Sequence, residues 1–386
     1  MNEFDDIRPY LPEELPQVFE ELMADEQFMG AVTKIMPDVR EKMAAFLLAH
    51  QGAPFTNLDV QKAFFYPLVQ HIIATCSAGI DLSVPDSINR QQPHTFITNH
   101  RDIVLDSAFL SFLLVENQFP TTVEIAIGDN LLIFPWIKKL VRINKSFIVQ
   151  RSLSMREMLR ASQTMSRYMH YAISEKHENI WIAQREGRAK DSDDRTQDSL
   201  LKMMAMGGDG SPIDRLRQLH LTPMALSYEF DPCDFLKAKE FQQRRDITDF
   251  RKSQTDDLQS MQIGIFGQKG QIHFEAAPCI DEWLDSLDSA TPRTELFHLI
   301  AQHIDHEIHR NYRLYPGNLA AADFLDGGNR STAEQRNSFD VYVQQRIALA
   351  AKALEAGGLQ PDYPYLRERI LSMYANPVFN KVKNEE

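Results

Sequence analysis

Phe96-Ile97-Thr98-Asn99-His100-Arg101-Asp102-Ile103-Val104-Leu105-Asp106 starts apolar and breaks into a polar turn with one histidine, one arginine and two aspartates. Its lead, Thr95 to Thr98, predicts a buried strand ending at Asn99, and the apolar stretch from Ile103 to Val115 predicts the helix that follows. His100 then stands at the carboxyl edge of a strand, where open α/β sheets bind their ligands.

The unit recurs on both sides of this stretch. Apolar runs at Thr95–Thr98, Glu124–Ile127, Ser146–Val149, Ile180–Ala183, Thr222–Tyr228 and Gln271–Phe274 alternate with helical stretches at 103–116, 153–175 and 195–206. This predicts an α/β fold with a mixed, largely parallel central sheet flanked by helices. Upstream, Leu15, Val18, Phe19 and Leu22, then Phe64, Leu68, His71 and Ile72, follow helical spacing, with Asn57 placed to cap the second helix. The expected division is a helical N-terminal region at 1–88, the α/β domain at 89–320 and a C-terminal helical region at 321–386. A charged helical insert is expected at 230–260. Gly267-Gln268-Lys269-Gly270 is expected to join two strands as a hairpin, and Ser211 to cap a helix opened by Pro212.

The 386 residues suffice for two or three units of roughly 100–200 residues. An apolar share of 43% and a charged share of 25% are those of an ordinary globular protein, with disorder expected only over Lys381–Glu386. Cys76, Cys233 and Cys279 lie far apart and the acidic N-terminus lacks an apolar signal core, which predicts a reducing, cytoplasmic setting. No apolar run approaches a membrane span, so contact with a membrane would be peripheral, at its inner face. The net charge of −13 disfavours nucleic acid, yet residues 131–170 hold eight Lys or Arg against one acid, Glu157. Within that basic island, Leu131 to Leu140 combines Trp136 with Lys138 and Lys139, either an interfacial anchor or a buried helix whose lysines reach solvent.

A histidine at a strand end with an aspartate one helical turn later can act as a general base, the carboxylate fixing the imidazole tautomer. His100 with Asp106 or Asp102 fits that role, and equally fits a helix cap. Arg151 closes Phe147-Ile148-Val149-Gln150, and Gln184-Arg185-Glu186-Gly187-Arg188 follows Ile180 to Ala183 in the same manner. Arginines converging on one sheet edge would make an anion pocket; otherwise they are exposed and paired with Glu186, Asp191, Asp193 or Asp194. His100-Arg101-Asp102 also opens a kinase-like catalytic loop. Position 107 is Ser rather than Asn, and no Asp-Phe-Gly follows, which weighs against that reading and leaves it the weakest alternative. The histidines at 298, 303, 306 and 309 lack a metal-binding pattern, and no metal is expected.

Four ordered blocks complete the reading: Asn99-His100-Arg101 followed by an aspartate, Ser146 to Arg151, Glu186-Gly187-Arg188, and Thr222-Pro223-Met224-Ala225-Leu226-Ser227-Tyr228-Glu229. In this order they resemble the glycerol-3-phosphate and lysophosphatidate acyltransferase family. The resemblance implies transfer of a fatty acyl chain from acyl-CoA or acyl carrier protein to a glycerolipid hydroxyl in phospholipid biosynthesis, with no cofactor. It implies catalytic roles for His100 and Asp106, or Asp102, and substrate binding by Arg101, Arg151, Arg185, Glu186, Gly187, Arg188 and Pro223. The partners implied are the acyl thioester, possible as an acyl carrier protein, a phosphorylated glycerol or lysolipid acceptor, and a membrane surface.

Two departures qualify the match. Five residues separate His100 from Asp106 where the family has four, and Leu105 stands at the expected aspartate. Arg185 precedes Glu186-Gly187 where relatives carry an apolar residue or Pro. An amino-acid lyso-lipid acceptor, or a catalytically silent lipid-binding protein, are the alternatives these departures leave open. Asn311 to Asn318 resembles a segment of larger family members.

Overall fold

The computed structural model describes residues 3–383 apart from Gly52, Ser152 and Ser289. Seven strands form one sheet: β1 (Gly79–Ser83), β2 (Thr95–Thr98), β3 (Val123–Gly128), β4 (Ser146–Val149), β5 (Asn179–Ala183), β6 (Leu221–Tyr228) and β7 (Gln271–Ala276), in the order β1-β7-β6-β2-β5-β3-β4. Every pair is parallel except β6 with β7. β2 is buried at all four positions and β6 at all eight, as central strands covered on both faces must be.

Alternation along the strands splits the core into two layers. Ile97, Ile180 and Ile182 face Tyr168 and Met169 of the Met155–Ser174 helix and Phe297, Ile300 and Ile304 of the Arg293–Arg310 helix. Phe96 and Trp181 face the opposite side, toward Leu105, Phe109 and Leu113 of the Leu105–Glu116 helix. The N-terminal helices bury their own cluster around Leu15, Phe19, Phe55 and Val60. A C-terminal layer, built on the Ala333–Ala356 and Tyr363–Lys383 helices, buries Val343, Leu354, Leu366 and Ile370.

Several expectations are corrected. Gly79–Ser83, assigned to the helical N-terminal region, is an edge strand paired with β7. Gly267 to Gly270 is not a hairpin. β6 and β7 are antiparallel neighbours, but the Asp234–Asp246 and Gln254–Phe266 helices lie between them, and the glycine turn only leads from the second helix into β7. That turn is held by Lys269, whose Nζ donates to Ile265 O and Gly267 O, while Gly270 takes φ +62°. Thr56 rather than Asn57 caps the helix at Asn57–Val60, its hydroxyl and the Asp59 carboxylate bonding each other's backbone amides; the Asn57 amide reaches Ile143 O at 2.9 Å. Ser211 does cap its helix, with Pro212 in the first turn. In the tail, Lys381–Lys383 belong to the last helix, and 384–386 lie outside the described residues.

The apolar side of the Pro135–Ile143 helix is not an outward anchor. Trp136 and Leu140 pack on the N-terminal cluster, Trp136 beside Phe28, and Lys139 pairs with Glu21 at 2.8 Å. No helix among the described residues is long and apolar enough to cross a membrane.

Candidate active site

The turn after β2 is built by side chains that imitate backbone. Asn99 Nδ2 donates to Leu226 O at 2.9 Å and Leu226 N donates to Asn99 Oδ1 at 2.8 Å, so one amide side chain continues the β2–β6 ladder while the main chain turns away. Asp102 Oδ1 accepts from Val104 N at 2.9 Å and Leu105 N at 2.8 Å, occupying the free donors at the start of the next helix.

Asp106, wholly buried in the first turn of that helix, collects four donors. Its Oδ2 accepts from His100 Nδ1 at 2.8 Å, Arg101 N at 2.7 Å and Asp102 N at 3.1 Å; its Oδ1 accepts from the Tyr228 hydroxyl at 2.8 Å. An Nδ1–H donated to this carboxylate leaves the lone pair on Nε2. Nε2 has no protein partner among the described residues, and the side chain keeps 13% of its surface exposed. Trp181 lies edge-on to the imidazole with ring centroids 5.4 Å apart, and is itself fixed by Nε1 donating to Thr98 Oγ1 at 3.1 Å. The arrangement is an oriented imidazole with one open nitrogen at a parallel sheet's carboxyl edge, a geometry suited to removing a proton from a bound hydroxyl.

Of the two aspartates, only Asp106 meets the ring. Asp102 is turned back into the turn, where burial and then the neighbouring Asp106 push its carboxyl upward. A Cβ on Gly264 would sit 2.0 Å from Asp102 Oδ2, so a bare glycine from the Gln254–Phe266 helix closes over that carboxyl. The five-residue spacing is accommodated because Asp106 points from the helix's first turn back under the loop, where three donors of the turn share its Oδ2.

Arg101 does not face the cleft. Its guanidinium is buried and forms a fork with Asp194, at 2.9 Å and 2.6 Å, and Tyr312 O–H donates to the same carboxylate. Tyr312 comes from the 311–318 segment, whose Arg313 N also donates to Ser227 Oγ at 3.0 Å; the segment therefore braces the turn from behind. Pro223 is likewise set back. It is buried inside β6 opposite Ile97, three residues short of Leu226, the partner of Asn99, and its carbonyl accepts from Ala277 N.

The other arginines do approach the edge. Arg151, after β4, reaches across β3 to Glu186, after β5, with Nη1 and Oε1 3.3 Å apart, and its backbone N–H donates to Asp129. A Cβ on Gly128 would lie 3.0 Å from the Arg151 guanidinium, so this glycine gives the side chain its passage. Gly187 takes φ +67°, turning the chain back between Glu186 and Arg188. Arg188 lies close enough to Asp102 and Asp231 to favour their charged forms. Arg185 Nε and Arg188 Nη1 are buried without a partner among the described residues, two unused donors near the strand ends.

Residues 79–223 match the model of the family described as Acyltransferase. The matched stretch includes β1 through the start of β6, and with them His100, Asp106, Arg151, Glu186 and Arg188. No curated protein matches the chain. Among solved structures, the 1-acyl-sn-glycerophosphate (LPA) acyltransferase PlsC from Thermotoga maritima is similar at 10% identity, covering 76% of this chain and 97% of that one with a TM-score of 0.36, too slight a likeness to argue from.

Tyr228 and Trp181 carry positions in this site that sequence reading left without a role. Tyr228 stood inside the fourth block, but its partner is 122 residues away. The histidines of the Arg293–Arg310 helix do not converge: His303 stacks on Trp283 and His309 Nε2 bonds Asp194 O.

Proposed function

We propose that the protein moves a fatty acyl group from a thioester, acyl-CoA or acyl carrier protein, to a hydroxyl of glycerol 3-phosphate or lysophosphatidate in phospholipid biosynthesis. The observation that supports this most is the His100–Asp106 pair with Nε2 open, inside the stretch that matches the Acyltransferase model. His100 Nε2 takes the acceptor hydroxyl proton as the oxygen attacks the thioester carbonyl. Asp106 holds the ring and stabilises the imidazolium, which then protonates the departing thiolate. Backbone amides of the strand-end loops would serve the tetrahedral oxyanion. No metal or redox cofactor is required by this sequence of steps.

Arg151, Arg185 and Arg188 are assigned to the acceptor's phosphate, since two of them carry unused donors and the third is only loosely paired with Glu186. Peripheral membrane contact is assigned to the start of the Met155–Ser174 helix, where Met158 and Leu159 are exposed between Arg156 and Arg160, just beyond Arg151. This would place the enzyme on the inner face of the membrane.

The test is an acceptor panel with labelled acyl thioester. Arg151→Ala is expected to raise KM for a phosphorylated acceptor about 10-fold, the share of a partly exposed charge-assisted contact, with kcat little changed. Equal loss on an unphosphorylated acceptor would remove Arg151 from the phosphate site.

A further inference from the structure

At the opposite end of the sheet from His100, three segments bring unlike donor groups together. His220 precedes β6 at φ +48°, and Cys279 and Asp281 follow β7, tied to the start of β6 by Ile280 N donating to Leu221 O at 2.9 Å. A ring nitrogen of His220, Cys279 Sγ and a carboxylate oxygen of Asp281 all lie within 4.8 Å of one another, the one such group of three among the described residues. His220 Nδ1 is 2.6 Å from Asp281 Oδ2. The second oxygen, Asp281 Oδ1, is buried with no nitrogen or oxygen donor.

The cysteine distinguishes this cluster from an ion pair. Cys76 and Cys233 are buried, and each gives its thiol to a main-chain carbonyl, Phe266 O and Ser260 O. Cys279 is the less buried third, and its side-chain neighbours are the Asp281 carboxylate and the Thr222 hydroxyl. A histidine and an aspartate suffice for an ion pair; a thiol added to them makes a mixed nitrogen, sulfur and oxygen donor set of borderline softness.

We propose that His220, Cys279 and Asp281 form a zinc site, with water as the fourth ligand. Tetrahedral zinc with bonds of about 2.0–2.3 Å sets its donors about 3.3–3.8 Å apart, so no donor pair needs to draw in by more than about 1 Å, and His220 Nδ1 and Asp281 Oδ2, now 2.6 Å apart, need to part by less than that if both bind. His94 stands nearby but is not a fourth donor, because its Nδ1 meets Thr222 Oγ1 and its Nε2 meets Asn89 O. The eight residues of β6, about 25 Å of strand, separate this site from the Tyr228 end. The ion would therefore pin the turn after β7 to the start of β6 and take no part in acyl transfer.

The experiment uses the full chain, stripped with a chelator and titrated with Co²⁺ and then Zn²⁺. One equivalent of Co²⁺ is expected to give a sulfur-to-metal charge-transfer band in the near ultraviolet, displaced by one equivalent of Zn²⁺. Cys279→Ser is expected to lose the band and bind Zn²⁺ at least about 10-fold more weakly, with acyl transfer unchanged. Absence of the band in the wild-type chain, or its survival in C279S, would overturn the site. Should C279S fail to fold, Asp281→Asn keeps the thiol, and zinc affinity equal to wild type in that variant would overturn it as well.

Discussion

Asp106→Asn is expected to lower kcat about 10²–10⁴-fold while the chain stays folded. Asparagine keeps one oxygen, and with that oxygen toward the turn it still accepts from His100 Nδ1, Arg101 N and Asp102 N. Its amide then meets Tyr228, whose hydroxyl can rotate from donor to acceptor. The hydrogen bonds are thus largely preserved. What is lost is the negative charge that stabilises the imidazolium as the acceptor proton arrives at Nε2. Rate constants from the acyl-thioester assay, with far-ultraviolet circular dichroism as the control for folding, check this. A folded D106N with kcat within about threefold of wild type would show that His100 does not work as a base oriented by Asp106.

Arg101→Ala is expected to cost about 3–5 kcal/mol of folding stability without weakening acceptor binding in the protein that remains folded. Both partners of the Arg101–Asp194 fork are nearly inaccessible, with side-chain exposures of 9% and 1%. Removing the guanidinium leaves Asp194 buried with the Tyr312 hydroxyl and no cation. Removing both charges together should restore much of the loss, because two apolar side chains do not strand a charge, so Arg101→Met with Asp194→Leu serves as the companion variant. Urea midpoints for the single and double variants measure this. An R101A midpoint equal to wild type, joined to a raised acceptor KM, would return Arg101 to the substrate site.

The contrast between His100 and Arg101 shows where sequence was informative. All six predicted strands are present, because runs such as Thr95–Thr98 and Ile180–Ala183 are short, apolar and bounded by turn residues. The strand ends therefore put His100, Arg151 and Arg185 to Arg188 on one edge. Which way each side chain points there depends on partners distant in sequence. The family resemblance assigns Arg101 to substrate, yet consecutive residues leaving a strand face opposite sides, and Asp194 waits on the other side. Asp102 and Asp106 could not be separated by spacing, since the decision rests on Tyr228 and on a turn whose amides all aim at Asp106.

The misread elements have the same origin. β1 is a five-residue run with no fully buried position, and only the parallel register with β7 makes it a strand. Gly267 to Gly270 carries hairpin residues, but glycine at a left-handed position serves a helix-to-strand junction just as well. Trp136 with Lys138 and Lys139 has the composition of an anchor. The N-terminal cluster claims its apolar side instead, which no local pattern of that segment reveals.

The most direct measurement of the central claim compares wild-type protein with His100→Ala, using labelled acyl-CoA and acyl carrier protein as donors and glycerol 3-phosphate and lysophosphatidate as acceptors. Wild type should form an acylated, phosphorylated glycerolipid from one of these pairs, and H100A, folded to the same degree, should form it at least about 10²-fold more slowly. Product formation by H100A at the wild-type rate would contradict the account.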